Sequence, residues 1–396
     1  MRRGKEVAAR LAERRGLAAL PRPAGRLLWL HAASVGETVS VLPLLAAFAA
    51  EAPDASVLFT TGTVTSAELL ARRMPAGRIL HQFAPLDVPR WVARFLDHWR
   101  PDAAAFVESE IWPNLLAACR ARGIPAMLVN ARLSPASFAG WRRAPAFART
   151  LFGGFARIQA QSEADAQRLR ALGADAVETP GNLKFAAPPL PVPPADLAAL
   201  RDLFAHRPVW LAASTHPGEE AAARDAHLAL ASRHPGLLTV IVPRHPERGA
   251  DVAATMSGLP VSRRAPGEAP PAGTGVWVAD TLGELGLFYA ATGLAFVGGS
   301  LVPHGGQNVL EPARLGCAVV IGPHTRNFAE PVAVLAAAGA LLQVADAPAL
   351  TAALDALLRD PARRAAMGAA GRAAASRDAD LPQRVAASLC ALLPHA

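Results

Sequence analysis

Gly293 to Ala313 reads GLAFVGGSLVPHGGQNVLEPA. Its apolar run, Leu294 to Val297, predicts a buried parallel strand. The strand empties into Gly298-Gly299-Ser300, and a second pair, Gly305-Gly306, precedes Asn308, where a helix is expected to begin. Glycines in such a loop let a ligand approach main-chain N–H groups closely, and a helix start beside it can seat one phosphate. Strand, loop and helix start together predict a nucleotide seat at the carboxyl edge of a parallel sheet. The same residues also fit a plain structural role. Asn308-Val-Leu-Glu311 matches a capping box, with Asn308 on the N3 amide and Glu311 reaching back.

Working outward, the same rhythm recurs in both directions. Apolar runs at Leu27–His31, Ser56–Thr60, Ala103–Val107 and Pro125–Val129, with shorter ones at Arg157–Gln159 and Val177–Pro180, alternate with helical stretches. The second half repeats the pattern at Val209–Ala213, Leu237–Val242, Val276–Ala279, Leu294–Val297 and Ala318–Ile321. That alternation predicts an α/β protein with doubly wound parallel sheets. Pro188-Pro-Leu-Pro-Val-Pro-Pro194 is the clearest break, so two domains are expected, 1–187 and 198–376, joined by a proline-rich linker over 188–197. Residues 377–396 are expected to form a helix that returns to the first domain.

At 396 residues the chain suits two cores, and 52% apolar with 18% charged residues is a globular balance. Cys119, Cys317 and Cys390 are scattered, with no metal-ligand spacing, which points to a reducing, cytoplasmic setting. Lys and Arg exceed Asp and Glu by 8 (40 − 32), favouring anionic partners. Nucleic acid is a poor fit, since there is no recognition motif and only one tyrosine. Arg2, Arg3, Lys5, Arg10, Arg14 and Arg15 fall in a helical pattern with Val7, Ala8, Leu11 and Leu17, consistent with a basic interfacial helix or with a solvated one. No apolar stretch is long and unbroken enough to span a bilayer.

Several residues sit where chemistry would occur. Glu37, at the start of the first domain's first helix, can cap that helix through Ser34-Val-Gly-Glu37 or face a cleft as a general base. Glu108 and Glu110 follow a strand directly, where two carboxylates need ion-pair partners or a function. Trp112 is expected to close the core. Lys184, just before the linker, and Arg244, with His245 at a strand end, offer cations to an anion. His216, His245, His304 and His324 share the loops of the second half without metal-ligand spacing, so no metal site is expected.

Seven motifs then come in order: His31-Ala-Ala-Ser-Val-Gly-Glu37, Glu108-Ser-Glu-Ile-Trp-Pro-Asn114, Asn130-Ala-Arg-Leu-Ser134, Gly181-Asn-Leu-Lys-Phe185, Ser214-Thr-His-Pro-Gly-Glu-Glu220, Val242-Pro-Arg-His-Pro-Glu-Arg248 and Gly298 to Pro312. The series resembles the 3-deoxy-D-manno-oct-2-ulosonic acid (Kdo) transferases of lipopolysaccharide synthesis across nearly the whole chain. The resemblance implies a GT-B fold, two Rossmann-like domains facing across a cleft. It implies an inverting, metal-independent transfer of Kdo from CMP-Kdo to the lipid A precursor, with no cofactor. It assigns Glu37 as general base and Glu108 and Lys184 as transition-state stabilisers. It assigns Pro243, Arg244, Gly283, Glu284, Leu285, Asn308, Val309, Leu310 and Glu311 to CMP.

Inversion requires the base opposite the leaving group, which is consistent with Glu37 belonging to the other domain from the CMP seat. The family usually opens with an apolar membrane anchor, whereas this sequence opens Met1-Arg-Arg-Gly4. A peripheral protein at the cytoplasmic face of the anionic inner membrane is therefore expected, held by its basic face. Two other readings share the fold: a UDP-sugar epimerase, and a non-catalytic sugar-nucleotide binder.

Overall fold

Leu27–Ala32 (β1), Ala103–Val107 (β4) and Ala126–Ala131 (β5) are buried at every position, which is why they read as unbroken apolar runs rather than as alternating ones. They form the centre of a parallel sheet in this computed structural model, which describes residues 7–73, 78–186, 189–264 and 269–394. With Ser56–Thr61 (β2), Ile79–Phe83 (β3), Arg157–Ala160 (β6) and Val177–Glu178 (β7), the strand order is β3-β2-β1-β4-β5-β6-β7. Side chains alternate between two cores. Leu27, Trp29, Ala104 and Phe106 pack on helix Pro89–Trp99. Leu28, Leu30, Ala105 and Val107 meet helix Val35–Glu51 and helix Leu381–Cys390 on the opposite face.

A second sheet is built the same way. Val209–Thr215 (β8), Leu238–Pro243 (β9), Val261–Arg263 (β10), Val276–Val278 (β11), Leu294–Val297 (β12), Ala318–Ile321 (β13) and Leu341–Gln343 (β14) run in the order β10-β11-β9-β8-β12-β13-β14. Every strand pairing in both sheets is parallel. These are two Rossmann-like doubly wound sheets, the components of a GT-B architecture. The chain divides into two compact units, one of 1–187 with 378–396 and the other of 188–377. In each sheet the winding reverses once, between β1 and β4 and between β8 and β12, and ligands of such sheets bind at that reversal.

Three expectations change. Helix Pro194–Phe204 starts inside the segment read as linker, because Pro194 lies in its first turn where a missing N–H is harmless. The short strands β3, β10 and β14 went unread, their apolar runs being broken by residues such as His81, Gln82 and Ser262. Of the basic N-terminal helix, residues 1–6 lie outside the described residues. The rest forms two 3-10 turns, Ala8–Arg10 and Glu13–Arg15. Arg14 turns inward and donates to the carbonyls of Gly62 (2.7 Å) and Ala84 (3.1 Å). Gly16 then brings the backbone against Trp91, where a Cβ would lie 2.1 Å from the carbonyl oxygen.

Candidate active site

The first unit's reversal point carries Glu37. Ser34 caps helix Val35–Glu51 by accepting from the Glu37 N–H (3.3 Å), and the Glu37 carboxylate returns to the Ser34 hydroxyl (2.7 Å) and the Ala33 N–H (2.8 Å). The Ser34 half of the capping box is formed, while Glu37 reaches one residue further back, to the Ala33 N–H, and these bonds hold the carboxylate at the carboxyl end of β1. Burial pushes the Glu37 pKa up, against the hydrogen bonds from Ser34 and Ala33, and the carboxylates of Glu110 and Glu108 add to the rise. Capping and proton acceptance are compatible: a half-buried carboxylate with a raised pKa is a better base than an exposed one.

Glu108 and Glu110 leave β4 towards different partners. Glu108 takes a left-handed backbone, φ +56°, and its buried carboxylate lies 2.7 Å from Lys184 Nζ. A non-glycine residue held there at a strand end is strain of the sort found at functional sites. Glu110 accepts from Trp112 Nε1 (2.6 Å) and pairs with buried His31 Nε2 (3.1 Å), whose Nδ1 meets the Thr60 hydroxyl (2.9 Å). Burial works to raise the Glu110 pKa, but the His31 and Trp112 hydrogen bonds outweigh it and the net shift is downward. Glu110 thus remains an anion beside Glu37. Trp112, expected to close the core, is half-buried and also orients this carboxylate.

Lys184 is placed by a wired loop. Asn182, fully buried, accepts from the Lys184 N–H (3.0 Å) and donates its own N–H to Asp378 (3.0 Å). Leu183 N–H donates to Asn130 Oδ1 (2.9 Å), and Asn130 itself has φ +54°. Gly181 has φ +129°, and a Cβ there would lie 2.7 Å from the Asp378 carboxylate. The Gly-Asn-Leu-Lys sequence is therefore a mount for Lys184, fixed by a residue nearly 200 positions later.

In the second unit the glycine loop is not an open anion cradle. Glu219, 1% exposed, fills it. Its carboxylate accepts from the N–H groups of His216 (2.9 Å), Gly299 (2.7 Å), Ser300 (2.9 Å) and Leu301 (2.9 Å). Gly298 is required because a Cβ would lie 2.8 Å from Glu219 Oε2 and 2.6 Å from the Ser214 carbonyl. The sequence reading offered these N–H groups to a ligand; a side chain from the next strand-end motif already satisfies them.

The expected nucleotide residues fall around the same edge. Pro243 ends β9, and exposed Arg244 fixes its own backbone on the Thr215 carbonyl (3.1 Å). Gly283 has φ +87° and no neighbour within contact of a Cβ, leaving room beside it. Glu284 is held by Arg264 through two bonds (2.7 and 2.8 Å) and by the Thr281 hydroxyl, which keep its pKa down. Helix Leu285–Thr292 begins directly after it.

Asn308 does not cap as expected. The helix there is Leu310–Arg314, only five residues, flanked by Val309. Asn308 Oδ1 accepts from Leu310 N–H (3.1 Å), two residues on rather than three, and its amide donates to Glu311 (3.1 Å). So short a helix aligns few peptide dipoles, which weakens the reading of its start as a phosphate seat. Burial raises the Glu311 pKa against the Asn308 hydrogen bond and the charges of Arg314 and Arg244. Among the described residues no group of three or more His, Cys, Asp or Glu could hold a metal ion.

His31, Asn130, Asp378 and Glu219 were missed as site residues. His31, Asn130 and Glu219 lay inside motifs already quoted, but their roles are pairings across about 30 to 80 residues that no local spacing encodes.

The sequence pattern of the family described as "3-Deoxy-D-manno-octulosonic-acid transferase (kdotransferase)" matches residues 9–187. The 3-deoxy-D-manno-octulosonic acid transferase of Haemophilus influenzae is 37% identical over 91% of this chain and 86% of its own length. That of Bordetella pertussis is 38% identical over 89% and 84%. A protein named probable 3-deoxy-D-manno-octulosonic acid transferase, mitochondrial, of Arabidopsis thaliana is 37% identical over 91% and 83%. Among solved structures, a UDP-GlcNAc 2-epimerase from Neisseria meningitidis shares the fold at TM-score 0.59 and 14% identity, over 93% of this chain and all of that one. A glycosyltransferase from Rickettsia africae does so at 0.57 and 12%, over 93% and 99%.

Proposed function

The chain belongs to the 3-deoxy-D-manno-octulosonic acid transferase family, and from that premise we propose that it moves Kdo from CMP-Kdo to a hydroxyl of the lipid A precursor, inverting the anomeric carbon. Departure of CMP leaves positive charge on the sugar, and the Glu108 carboxylate at the end of β4 is suited to stabilise it. Lys184, 2.7 Å away, fixes that carboxylate and presents a cation to the anionic substrates. Glu37 takes the proton from the attacking hydroxyl as the new carbon–oxygen bond forms. The C–O bond to phosphate breaks with its electron pair, and CMP leaves as the monophosphate.

The donor belongs to the second unit in this reading, with CMP against Pro243, Arg244, the Gly283–Leu285 turn and Asn308–Glu311. A monophosphate leaving group needs one cation, for which Arg244 is the candidate, so neither metal nor cofactor is required. A membrane-peripheral location is part of the proposal. Leu17 and Leu20 are 45% and 44% exposed beside Arg15, and Phe147, half exposed, accompanies exposed Arg142, Arg143 and Arg149. Among the described residues no helix is long and apolar enough to cross a membrane.

The observation that carries the mechanism is the Glu37 carboxylate, its pKa raised by burial, sharing the β1/β4 edge with the Glu108–Lys184 pair. Purified protein incubated with freshly made CMP-Kdo and tetraacyl lipid A precursor, with EDTA present, should yield an acceptor heavier by Kdo in the mass spectrum. Tighter binding of UDP than of CMP, or no transfer, would overturn the proposal.

A further inference from the structure

The nucleotide residues account for CMP but leave the donor's other anion unassigned. Kdo is an acid, and its carboxylate sits on the same carbon as the bond to phosphate. Resting on the function proposed above, we propose that the stacked imidazoles of His216 and His304 form the seat for this carboxylate.

Three adjacent strand ends deliver histidines to one place: His216 after β8, His245 after β9 and His304 in the loop after β12. The His216 and His304 rings lie 3.9 Å apart and tilted by 31°, with His245 edge-on to His216 at 6.3 Å. Gly299, φ +66°, makes the stack possible, since a Cβ would come within 3.3 Å of Cδ2 on both rings. Gln307 Nε2 lies 2.9 Å from His216 Nε2 and fixes the buried ring with its amide. His304 is exposed, so one face of the stack remains open to a ligand.

The surrounding charges leave the pair short of an anion. Glu219 spends its carboxylate on four N–H groups, Glu220 pairs with Arg248 (2.8 Å), and Glu247 lies 3.6 Å from His245. Arg244 faces the same edge, and Arg326 lies against the His304 carbonyl (3.5 Å). Burial lowers the His216 pKa, and His304, His245, Arg244 and Arg248 depress it further. Burial and these neighbours disfavour the His216 imidazolium, so a carboxylate arriving beside it favours proton uptake by that ring. The phosphate, on the Arg244 side, does not require that proton.

The test is competition binding of freshly made CMP-Kdo and of CMP to the full chain, comparing wild type with His304→Gln and His216→Gln. For each variant CMP-Kdo should weaken about tenfold, the worth of one charge-assisted contact, while CMP stays within about twofold. In wild type the preference for CMP-Kdo over CMP should shrink as pH rises from 6 to 8, and in His216→Gln that change with pH should be reduced. Equal weakening of both ligands would place the histidines on the phosphate and overturn the proposal, as would no weakening of either. A wild type that binds CMP-Kdo better than CMP but transfers nothing defeats the proposed activity and leaves the seat standing.

Discussion

Glu219→Gln is the substitution whose consequence the structure sets most tightly. One carboxylate oxygen accepts from the N–H groups of His216 and Gly299, the other from those of Ser300 and Leu301, at 2.7 to 2.9 Å. The side chain is 1% exposed, so water cannot replace a lost partner. Glutamine keeps one oxygen and turns an NH2 group on the other pair, leaving two buried N–H groups facing a donor. At roughly 1.5–3 kcal/mol for each hydrogen bond to a charged group, the loss is about 3–6 kcal/mol. That is a large share of the roughly 5–15 kcal/mol by which a domain is stable. Urea denaturation should show it as a lowered midpoint. Amide exchange should accelerate at one pair, His216 with Gly299 or Ser300 with Leu301, and not at both. A midpoint within about 1 kcal/mol of wild type, with exchange unchanged at all four amides, would refute the reasoning.

Asp378→Ala should lower kcat about tenfold or more with donor KM little changed, because it releases the Asn182 N–H that steadies the Lys184 loop; Asp378→Asn, which keeps an acceptor, should recover most of it. An equal fall in both variants would contradict that. The transfer rate should decline on the acid side at a pH above the ordinary carboxylate range, since the base must be ionised and the Glu37 pKa is raised. His81 is pushed down to about 3 by burial and by Arg10 and Arg14. The unfolded chain therefore takes up the proton first as pH falls below 6.5, and the folded state should lose about 2 kcal/mol between pH 7 and pH 5. His81→Asn should flatten that loss in a denaturation series.

Both sheets were legible because buried parallel strands announce themselves as apolar runs, and Leu294–Val297 occupies the very residues read for it. The edge strands β3 and β10 were not, since a half-buried strand with His81 or Ser262 in it has no such run. Glu37 was legible as a cap from Ser34 three residues earlier, and its raised pKa was not, because that comes first from burial in the fold, with Glu110 and Glu108 arriving from β4 to add to it. The glycine loop shows the limit most plainly. Its flexibility was written in the sequence, but the carboxylate that fills it comes from Glu219, 80 residues earlier, and only the β8–β12 pairing brings it there.

Glu37→Gln tests the central claim most directly. Glutamine keeps one oxygen for Ala33 N–H and turns its NH2 on the Ser34 hydroxyl, which can accept, so the helix start should survive, but it cannot take a proton. Single-turnover Kdo transfer to the lipid A precursor should fall by about 100-fold or more, the range for a lost general base, with CMP affinity unchanged. A transfer rate within a few-fold of wild type would show that another group accepts the proton.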